Sequence, residues 1–318
     1  MSSVAEVTTR QTGRYSLRDR LVRVLKQIYR DRECYLFLLP FGTIFTLFTV
    51  VPVIMSIGLS FTHFNMLQPA RFIGINNYLR LFLEDDVFLI AVKNTLIYAA
   101  ITGPLSYLGC FVLAWFINDF KPAVRAFLAL LFYAPSISGN AFMIWTYIFS
   151  GDTYGVVNGV LMHWGIITQP IQWLIDPRFI MPICIVVVLW MSLGTSFLVF
   201  IAGLQGLDPQ LFEAGAIDGV RNRWQELWYI TLPQMKGHLM FGAIIAITNS
   251  FTAASAITNL VQDSLTTDYA AHTIVQHLQD YGTVRFDMGY ACAIAVVLFF
   301  AMVVCQRVIQ KLLDRMGR

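Results

Sequence analysis

Charged residues are scarce in this sequence, and their scarcity excludes an ordinary water-soluble domain. Only 13% of the 318 residues are Asp, Glu, Lys or Arg, whereas 57% are hydrophobic, and the mean hydropathy is +0.63. A folded chain of this composition cannot cover its surface with polar groups. The sequence therefore predicts an integral membrane protein.

Motifs for nucleotide binding and for catalysis are also missing. The sequence contains no G-x-x-x-x-G-K-[ST] phosphate loop, and none of its five lysines follows a glycine. The chain is therefore not expected to bind ATP by itself. Paired acids, histidine clusters and a nucleophile beside a base are absent near the apolar runs. We expect no catalytic residue and no cofactor in this chain.

Metal ligands and nucleic-acid-binding patterns are equally sparse. The five cysteines are widely spaced, form no CxxC pair and lie within apolar runs, so we interpret them as small packing residues. His272 and His277 are five residues apart, a spacing that does not place two rings well on one helix face, and no metal site is expected. No stacking pattern of aromatic and basic residues is present, so no nucleic acid partner is expected.

The window 153–175 lacks any charged residue, but it holds three glycines, an asparagine and a proline, and we interpret it as a loop with a short helix outside or at the interface. Six other windows also lack charge, and each can supply the roughly 20 apolar residues that cross a ~30 Å hydrocarbon layer. These windows are 34–70, 94–118, 126–151, 179–207, 237–262 and 288–306. The membrane spans predicted within and around them cover about 35–61, 91–117, 124–149, 179–203, 236–262 and 287–308. The predicted fold class is an all-α integral membrane protein with six transmembrane helices.

The distribution of basic residues predicts the orientation. With six spans both termini lie on one side, and assigning that side to the cytoplasm places 17 of the 22 Lys and Arg there, which is the positive-inside bias. We expect a cytoplasmic N-terminal tail over 1–33, with an amphipathic interfacial helix at about 15–32 lying on membrane lipid. A six-helix domain over 34–310 and a cytoplasmic tail over 311–318 follow.

No charged residue lies in the middle of a predicted span. Ion-coupled carriers commonly keep such a residue, although placing one at a helix centre costs about 2.5–3.5 kcal/mol on insertion scales. The neutral core argues against that class of transporter. Energy for transport would then have to come from another chain.

Polar side chains recur along the fifth predicted span. Thr248, Thr252, Ser255 and Asn259 fall at i, i+4, i+7 and i+11 on one helix face, and Asn249 and Ser250 add to them. Because an unpaired polar group in hydrocarbon costs several kcal/mol, this face must meet protein or a wet cavity. Hydrogen bonding between helices and a path for a polar solute account for it equally well. Trp190 and Thr195 in the fourth span are further candidates, with close helix packing as the default interpretation there.

The longest polar segment between two apolar runs on the predicted cytoplasmic side reads from Asp208 to Pro233. Pro209 suits the first position of a helix that Asp208 caps, and Gly219 ends it. A second amphipathic helix is predicted over 224–229, and Pro233 fits the first turn of the fifth membrane helix. We interpret residues 208–233 as a docking segment; the alternative is a loop that merely joins two helices.

The docking segment resembles the E-A-A…G…I-x-L-P signature of permease subunits in binding-protein-dependent ABC importers. The matching residues are Glu213, Ala214, Gly219, Ile230, Leu232 and Pro233. Two departures stand out: Gly215 occupies a position where the family usually has Ala, and ten residues separate Gly219 from Ile230 where nine are usual. Looser matches, F-x-G-x-N-N-Y at 72–78 and W-L-x-D-P at 173–177, are similar to sugar importers of the maltose and glycerol-phosphate type, specifically to their first permease.

The resemblance implies a type I importer in the plasma (inner) membrane of a prokaryote. Its expected partners are two ATPase subunits, a second and related permease that forms a heterodimer with this chain, and an extracellular solute-binding protein. ATP and Mg would be bound by the ATPase subunits, and the expected substrate is a sugar or oligosaccharide. The alternative function is a secondary transporter or channel for a small polar solute.

The resemblance also implies roles for particular residues. The residues expected to couple the chain to an ATPase, through coupling helices between spans 4 and 5 in a loop over 204–236, are Glu213, Ala214, Gly215, Ala216, Ile217, Asp218, Gly219 and Pro233. For the substrate path the resemblance favours a path in general and assigns no individual residue. The candidates come from the polar pattern alone: Trp190, Thr195, Thr248, Asn249, Ser250, Thr252, Ser255 and Asn259. Three consecutive acids, 84–86, are expected to form a solvated external loop, with contact to the solute-binding protein as the alternative.

Overall fold

The computed structural model describes residues 30–138, 141–252, 254–261 and 266–316, without the side chains of 254–256 and 313–316. The chain divides into two units, residues 1–55 and 56–318. The amphipathic helix predicted for 15–32 falls almost entirely outside the described residues, so that prediction remains a prediction.

The described part of the first unit is an apolar helix. Helix α1 (Arg32–Phe45) continues through a π-helical turn, Thr46–Val50, into α2 (Val51–Leu59), which crosses the unit boundary. None of the described residues up to 55 is buried within the chain. Exposed Leu, Ile and Phe side chains on every face are what a lipid-facing helix presents, which fits the first predicted span.

The second unit contains a small hairpin and the remaining helices. Strands β1 (Thr62–His63) and β2 (Arg71–Phe72) are antiparallel, with Thr62 opposite Phe72. The helices are α3 (Asn76–Leu83), α4 (Asp86–Asn118), α5 (Pro122–Ile137), α6 (Ala141–Ile148), α7 (Val156–His163), α8 (Ile180–Met191), α9 (Thr195–Gln205), α10 (Pro209–Ile217), α11 (Arg223–Glu226), α12 (Leu232–Gln234), α13 (Lys236–Phe251), α14 (Ala254–Val261), α15 (Ile274–Gln279) and α16 (Met288–Met316). Between them lie π-helical turns at Leu227–Thr231 and Asp280–Val284 and a 3-10 turn at Thr267–Tyr269.

Four helical stretches of the described chain are long and apolar enough to cross a membrane. They are Arg32–Leu59, Asp86–Asn118, Ile180–Gln205 and Met288–Leu312. Two bent pairs, α5 with α6 and Arg223–Gln234 with α13, each turn through 81° and raise the count to six if each pair is one span. The chain is therefore predominantly helical, with four to six candidate membrane helices.

The fifth predicted span, 236–262, is wrong as a single helix. Helix α13 ends at Phe251, and Thr252 has φ −100° and ψ 10°, outside helical geometry, before α14 begins. Helix α16 continues to Met316, so the predicted cytoplasmic tail, 311–318, is helical over its described residues.

Helix α4 organises the core of the second unit. Its 33 residues contribute to each of the three buried apolar clusters. Phe88 packs with α15 and α16, Tyr98 packs with α8 and α14, and Trp115 packs with α9 and the Leu227–Thr231 turn. The side chain of Asp85 caps the helix by accepting a hydrogen bond from the N–H of Phe88 at 2.9 Å.

Candidate functional site

The first helix of the docking segment has the predicted boundaries. Asp208 Oδ1 accepts a hydrogen bond from the N–H of Gln210 at 2.9 Å, and Pro209 occupies the first turn of α10. Gly219 follows the helix with φ +96°, a conformation that glycine adopts without strain. The N–H of Val220 then donates to the carbonyl of Gly215 at 2.9 Å, as in a Schellman end. Asp208, Pro209 and Gly219 therefore play the local roles that the sequence predicted.

The residues expected to contact an ATPase lie on an open surface of the chain. Glu213, Ala214, Ala216 and Asp218 are exposed, and the side chain of Ile217 is 87% exposed. Further exposed apolar side chains follow in the same segment: Trp224, Trp228 and Tyr229. A row of uncovered apolar groups on a capped, well-formed helix pair is typical of a surface that binds another protein.

The two departures from the signature, Gly215 and the longer spacing before Ile230, involve residues that lie next to each other in the fold. The Leu227–Thr231 stretch is a π-helical turn, which accommodates one residue more than an α-helical turn, and this explains the ten-residue spacing between Gly219 and Ile230. A Cβ atom built on Gly215 would lie 2.6 Å from Cδ1 of Ile230. The glycine at position 215 thus leaves room for the Ile230 side chain.

Pro233 occupies a different place from the one predicted. It lies in α12, and Met235 (φ −83°, ψ 5°) separates this short helix from α13. The bend between them is 81°. Since Met235 is completely buried among α4 and α9 side chains, the bend itself is held by packing. Pro233 therefore precedes the membrane helix instead of beginning it.

Sequence reasoning missed how the docking segment is attached to α4. Arg223 forms an ion pair with Asp119, in the turn after α4, and its guanidinium lies 4.5 Å from the ring centroid of Trp115. The ring of Trp224 lies 5.1 Å from that of Trp115. Residues 115, 119, 223 and 224 are named the corner cluster below. The sequence holds no signal for it, because the pairs are more than 100 positions apart.

The candidate substrate-path residues do not form one continuous stripe. Thr248 is half-buried, Ser250 is buried, and Asn249, Thr252 and Asn259 are exposed. The hydroxyls of Thr248, Ser250 and Thr252 donate to the carbonyls four residues earlier at 2.7–2.9 Å, so hydrogen-bonded helix backbone accounts for them. The break after α13 separates them from Asn259, and the side chain of Ser255 lies outside the described part of the chain.

Trp190 and Thr195 flank a second helix break. The Trp190 ring lies 5.4 Å from the ring of Trp145, and Thr195 is exposed at the start of α9. Between them Gly194 has φ −124° and ψ −124°, and a Cβ atom there would lie 2.9 Å from Cβ of Ser136. Close packing against α5 therefore explains the glycine.

Asp85 is not in a solvated loop, contrary to the expectation for the acids at 84–86. Its side chain is only 9% exposed, and its Oδ2 accepts from the Tyr290 hydroxyl at 2.7 Å and lies 3.0 Å from Nε2 of His277. Nδ1 of His277 lies 3.1 Å from Nε2 of His272. The histidines thus come together, because His272 precedes the helix that carries His277. Among the described residues no group of three metal-ligating side chains occurs.

The Asp85 cluster, defined as Asp85, His272, His277, Tyr281 and Tyr290, keeps one fixed charge state at neutral pH. Burial opposes the charge on Asp85, but the Tyr290 hydroxyl, the Phe88 N–H and the His277 ring outweigh it and lower the pKa of Asp85. Burial, joined by the charge of His277, lowers the pKa of His272 to about 4. Burial also lowers the pKa of His277, although Asp85 opposes that shift.

Two ion pairs surround the cluster. Arg80 binds Asp287 at 3.0 Å and lies 4.2 Å from the Tyr290 ring centroid. Arg285 binds Asp280 at 2.8 Å. The first pair joins α3 to the residue that precedes α16, and the second closes the turn after α15. Both lie at the Asp85 end of α4, opposite the corner cluster.

The family of this chain, with its capped helix pair and apolar helices, follows from comparison with known proteins. Residues 34–316 match the family described as binding-protein-dependent transport system inner membrane component. The chain belongs to that family. The resemblance seen in the docking segment is thereby confirmed. A member of this family is a permease component of a transport system and not a catalytic subunit.

Relatives of this permease cover most of its length. The lactose transport system permease protein LacF of Rhizobium radiobacter is 28% identical over 282 residues, which span 87% of this chain and 92% of LacF. The probable ABC transporter permease protein YesP of Bacillus subtilis is 32% identical over 272 residues, or 83% of this chain and 84% of YesP.

A solved structure has the same fold. A chain of a bacterial ABC transporter involved in the import of the acidic polysaccharide alginate superimposes with a TM-score of 0.75. The two chains are 25% identical, and the match covers 93% of this permease and 100% of the other chain.

Proposed function

We propose that this permease forms the path for a sugar or oligosaccharide in a type I ABC importer of a prokaryotic inner membrane. The support for the substrate class comes from the relatives: one is named for lactose, another for arabinooligosaccharides, and the solved structure belongs to an alginate importer. These substrates are polyhydroxylated, and exposed hydroxyl and amide groups such as Thr195, Asn249 and Asn259 suit them.

The proposed topology has six spans with both termini in the cytoplasm. The bent pair of α5 and α6 then serves as one crossing, and α13 with α14 serves as another. Helices α11 and α12 stay with the rest of the docking segment, outside the membrane. The basic residues support this orientation, and it places the docking segment and the corner cluster in the cytoplasm. The Asp85 cluster lies at the external end of α4.

The observation that carries the proposed coupling is the uncovered ridge on α10, above all Ile217, which is 87% exposed. When a partner protein covers this isoleucine, its apolar surface is removed from water, and the free energy of that burial favours binding. This partner is an ATPase subunit, which contacts residues Glu213 to Gly219. ATP and Mg are bound by that subunit. Coupling requires that nucleotide state and pore state change each other's stability, typically by ~1–3 kcal/mol.

The proposed complex has two permeases, two ATPases and an extracellular solute-binding protein. Thr195, Asn249 and Asn259 are open to the surface of the isolated chain, so a second, related permease is needed to enclose a path that they line. The family's dependence on a binding protein supports the external partner.

Purification from native membranes tests this function. An affinity-tagged copy of the chain is expected to bring down an ATPase and a second permease, identified by mass spectrometry. Proteoliposomes are prepared with the whole complex, with the binding protein outside. They should accumulate labelled oligosaccharide only when ATP is present in the lumen, on the side of the membrane that the ATPase subunits face. Uptake by the isolated chain without ATP would contradict the proposal and support a secondary transporter or channel.

A further inference from the structure

The corner cluster joins the docking segment to the end of α4 by three different contacts. Arg223 pairs with Asp119, its guanidinium lies over the ring of Trp115 at 4.5 Å, and the ring of Trp224 packs against the same indole at 5.1 Å. Trp115 is only 8% exposed. The first two residues of the second helix of the docking segment, Arg223 and Trp224, therefore both pack against the one buried indole of Trp115.

The local fold fixes Arg223 at this place. Asn222 caps α11 by accepting a hydrogen bond from the N–H of Gln225 at 2.9 Å, and the Gln225 side chain accepts from the N–H of Arg221 at 2.8 Å. Leu227, one turn later, is buried in the same apolar cluster as Trp115. The first turn of the helix thus cannot rotate without moving Arg223 away from α4.

The end of α4 is held from the other side as well. Nη1 of Arg125, in the first turn of α5, lies 3.4 Å from both the carbonyl and the side-chain oxygen of Asn118. A cavity of about 180 Å³ lies beside the cluster, between α4, α9 and the docking segment. The turn that contains Asp119 is therefore held by the contact between Arg125 and Asn118. The cavity beside it leaves room for side chains to move.

We infer that Arg223 is a positioning residue that transmits movement of the docking segment to α4. The inference rests on the proposed function, since it names the link between the ATPase-binding ridge and the membrane helices. A 33-residue helix is about 50 Å long and reaches from the corner cluster to the Asp85 cluster. Displacement of Arg223 by a bound ATPase moves the α4 end directly, and the packed helix carries that motion toward the opposite side of the membrane.

The contact needs an arginine. A guanidinium is flat, so it stacks on an indole while its edge donates to a carboxylate, whereas a lysine ammonium is a point charge that cannot do both equally well. Arg223→Lys is therefore expected to keep the charge and lose part of the coupling. Arg223→Glu removes both contacts and places a carboxylate beside Asp119.

The test uses the complete complex in proteoliposomes and separates assembly from coupling. For each variant we would measure the ATPase content, the basal ATP hydrolysis rate, the rate with loaded binding protein, and the sugar imported per ATP hydrolysed. Arg223→Glu is expected to retain assembly and basal hydrolysis, and to lose at least fivefold in stimulated hydrolysis and in sugar imported per ATP. Arg223→Lys should lie in between.

A charge exchange distinguishes positioning from simple damage. The double variant Asp119→Arg with Arg223→Glu restores opposite charges and is expected to recover stimulated hydrolysis at least threefold over Arg223→Glu alone. Arg307→Glu is the matched control: it makes the same charge change on an exposed side chain of α16, outside the docking segment, and should stay within twofold of the original protein.

The outcomes separate this inference from the proposed function. Normal stimulation in Arg223→Glu, or no recovery in the double variant, overturns the role of Arg223 while the importer assignment stands. An unaltered chain that binds no ATPase overturns the proposed function itself.

Discussion

Nε2 of His277 lies 3.0 Å from Oδ2 of Asp85, although the two residues are 192 positions apart. Asp85 is ionised at neutral pH because its pKa is lowered, so the His277 nitrogen is the donor. Nδ1 of His277 then accepts from Nε2 of His272 at 3.1 Å. Nδ1 of His272 is buried without a partner in the described part of the chain, which leaves no acceptor for an added proton.

This arrangement predicts that the Asp85 cluster loosens in acid. The pKa of His272 is about 4 in the folded protein and 6.5 in the unfolded one. Between these pH values the imidazole is therefore protonated in the unfolded state and neutral in the folded state. Stability therefore falls as the pH drops from about 6.5 toward 4, by on the order of 3 kcal/mol. Asp85 acts in the same direction, since its lowered pKa stabilises the fold above pH 3.8 and loses that effect below it.

Hydrogen exchange of residues 266–287 at pH 7 and pH 5 measures the effect, after correction for the intrinsic pH dependence of exchange. Protection should drop at pH 5, and His272→Gln, which can still donate to His277, should flatten the change. His163 is exposed, and His163→Gln should leave the pH dependence as it was. Equal protection at both pH values would show that the histidines are not the sensitive groups.

The backbone at Gly219 gives a second prediction. Its φ of +96° is unfavourable for a residue with a Cβ, at a cost of about 1–2 kcal/mol, although nothing lies within 4 Å of the added atom. Gly219→Ala should therefore shift α10 relative to the rest of the docking segment and reduce ATPase binding several-fold. Gly219→Glu adds bulk and charge and should abolish substrate-stimulated ATP hydrolysis while the chain still inserts.

A glycine with ordinary backbone geometry serves as the control for Gly219. Gly237 lies in α13, and a Cβ atom there would also meet nothing within 4 Å. Gly237→Ala should retain ATPase binding and stimulated hydrolysis. Pull-down of the ATPase with each variant gives the comparison, and a Gly219→Glu complex with normal stimulation would count against the docking assignment.

Local chemistry in the sequence predicted the docking segment well. The Asp-Pro start and the glycine end of α10 depend only on neighbouring residues, so they could be found without a structure. The break after Phe251 could not, because the residues around it have no Pro or Gly, and the apolar pattern continues across it. The Asp85 and corner clusters were also missed, since their partners lie on distant segments that only tertiary packing brings together.

The π-helical turn at Leu227–Thr231 predicts an unequal response to deletions. A π turn holds one residue more than an α turn, so removing the exposed Tyr229 converts it to an α turn and keeps the segments on either side in place. Removing Ile244, within the continuous helix α13, rotates all later residues by about 100°. Thermal melting of the purified chains should show a small loss for the first deletion and a large one for the second.

The side chain of Asn158 holds the segment between α6 and α8 in place by hydrogen bonds. It is fully buried, and its Oδ1 accepts from the N–H of Ile171 at 3.1 Å and from Nε1 of Trp173 at 2.8 Å. Its Nδ2 donates to the carbonyl oxygens of Ser150 and Asp152, at 3.2 Å each. Every polar atom of the side chain is used.

Asn158→Ala leaves several of these groups without partners, and each buried unpaired group costs about 1–3 kcal/mol. Residues 150–176 should therefore lose protection from hydrogen exchange and become sensitive to protease, while α4 and α9 remain protected. His163→Ala, on the exposed side of the same helix, should change neither property. If Asn158→Ala behaves like His163→Ala, then the amide is not the brace, and the packing of Trp173 against Phe179, with ring centroids 5.0 Å apart, is sufficient to hold the segment.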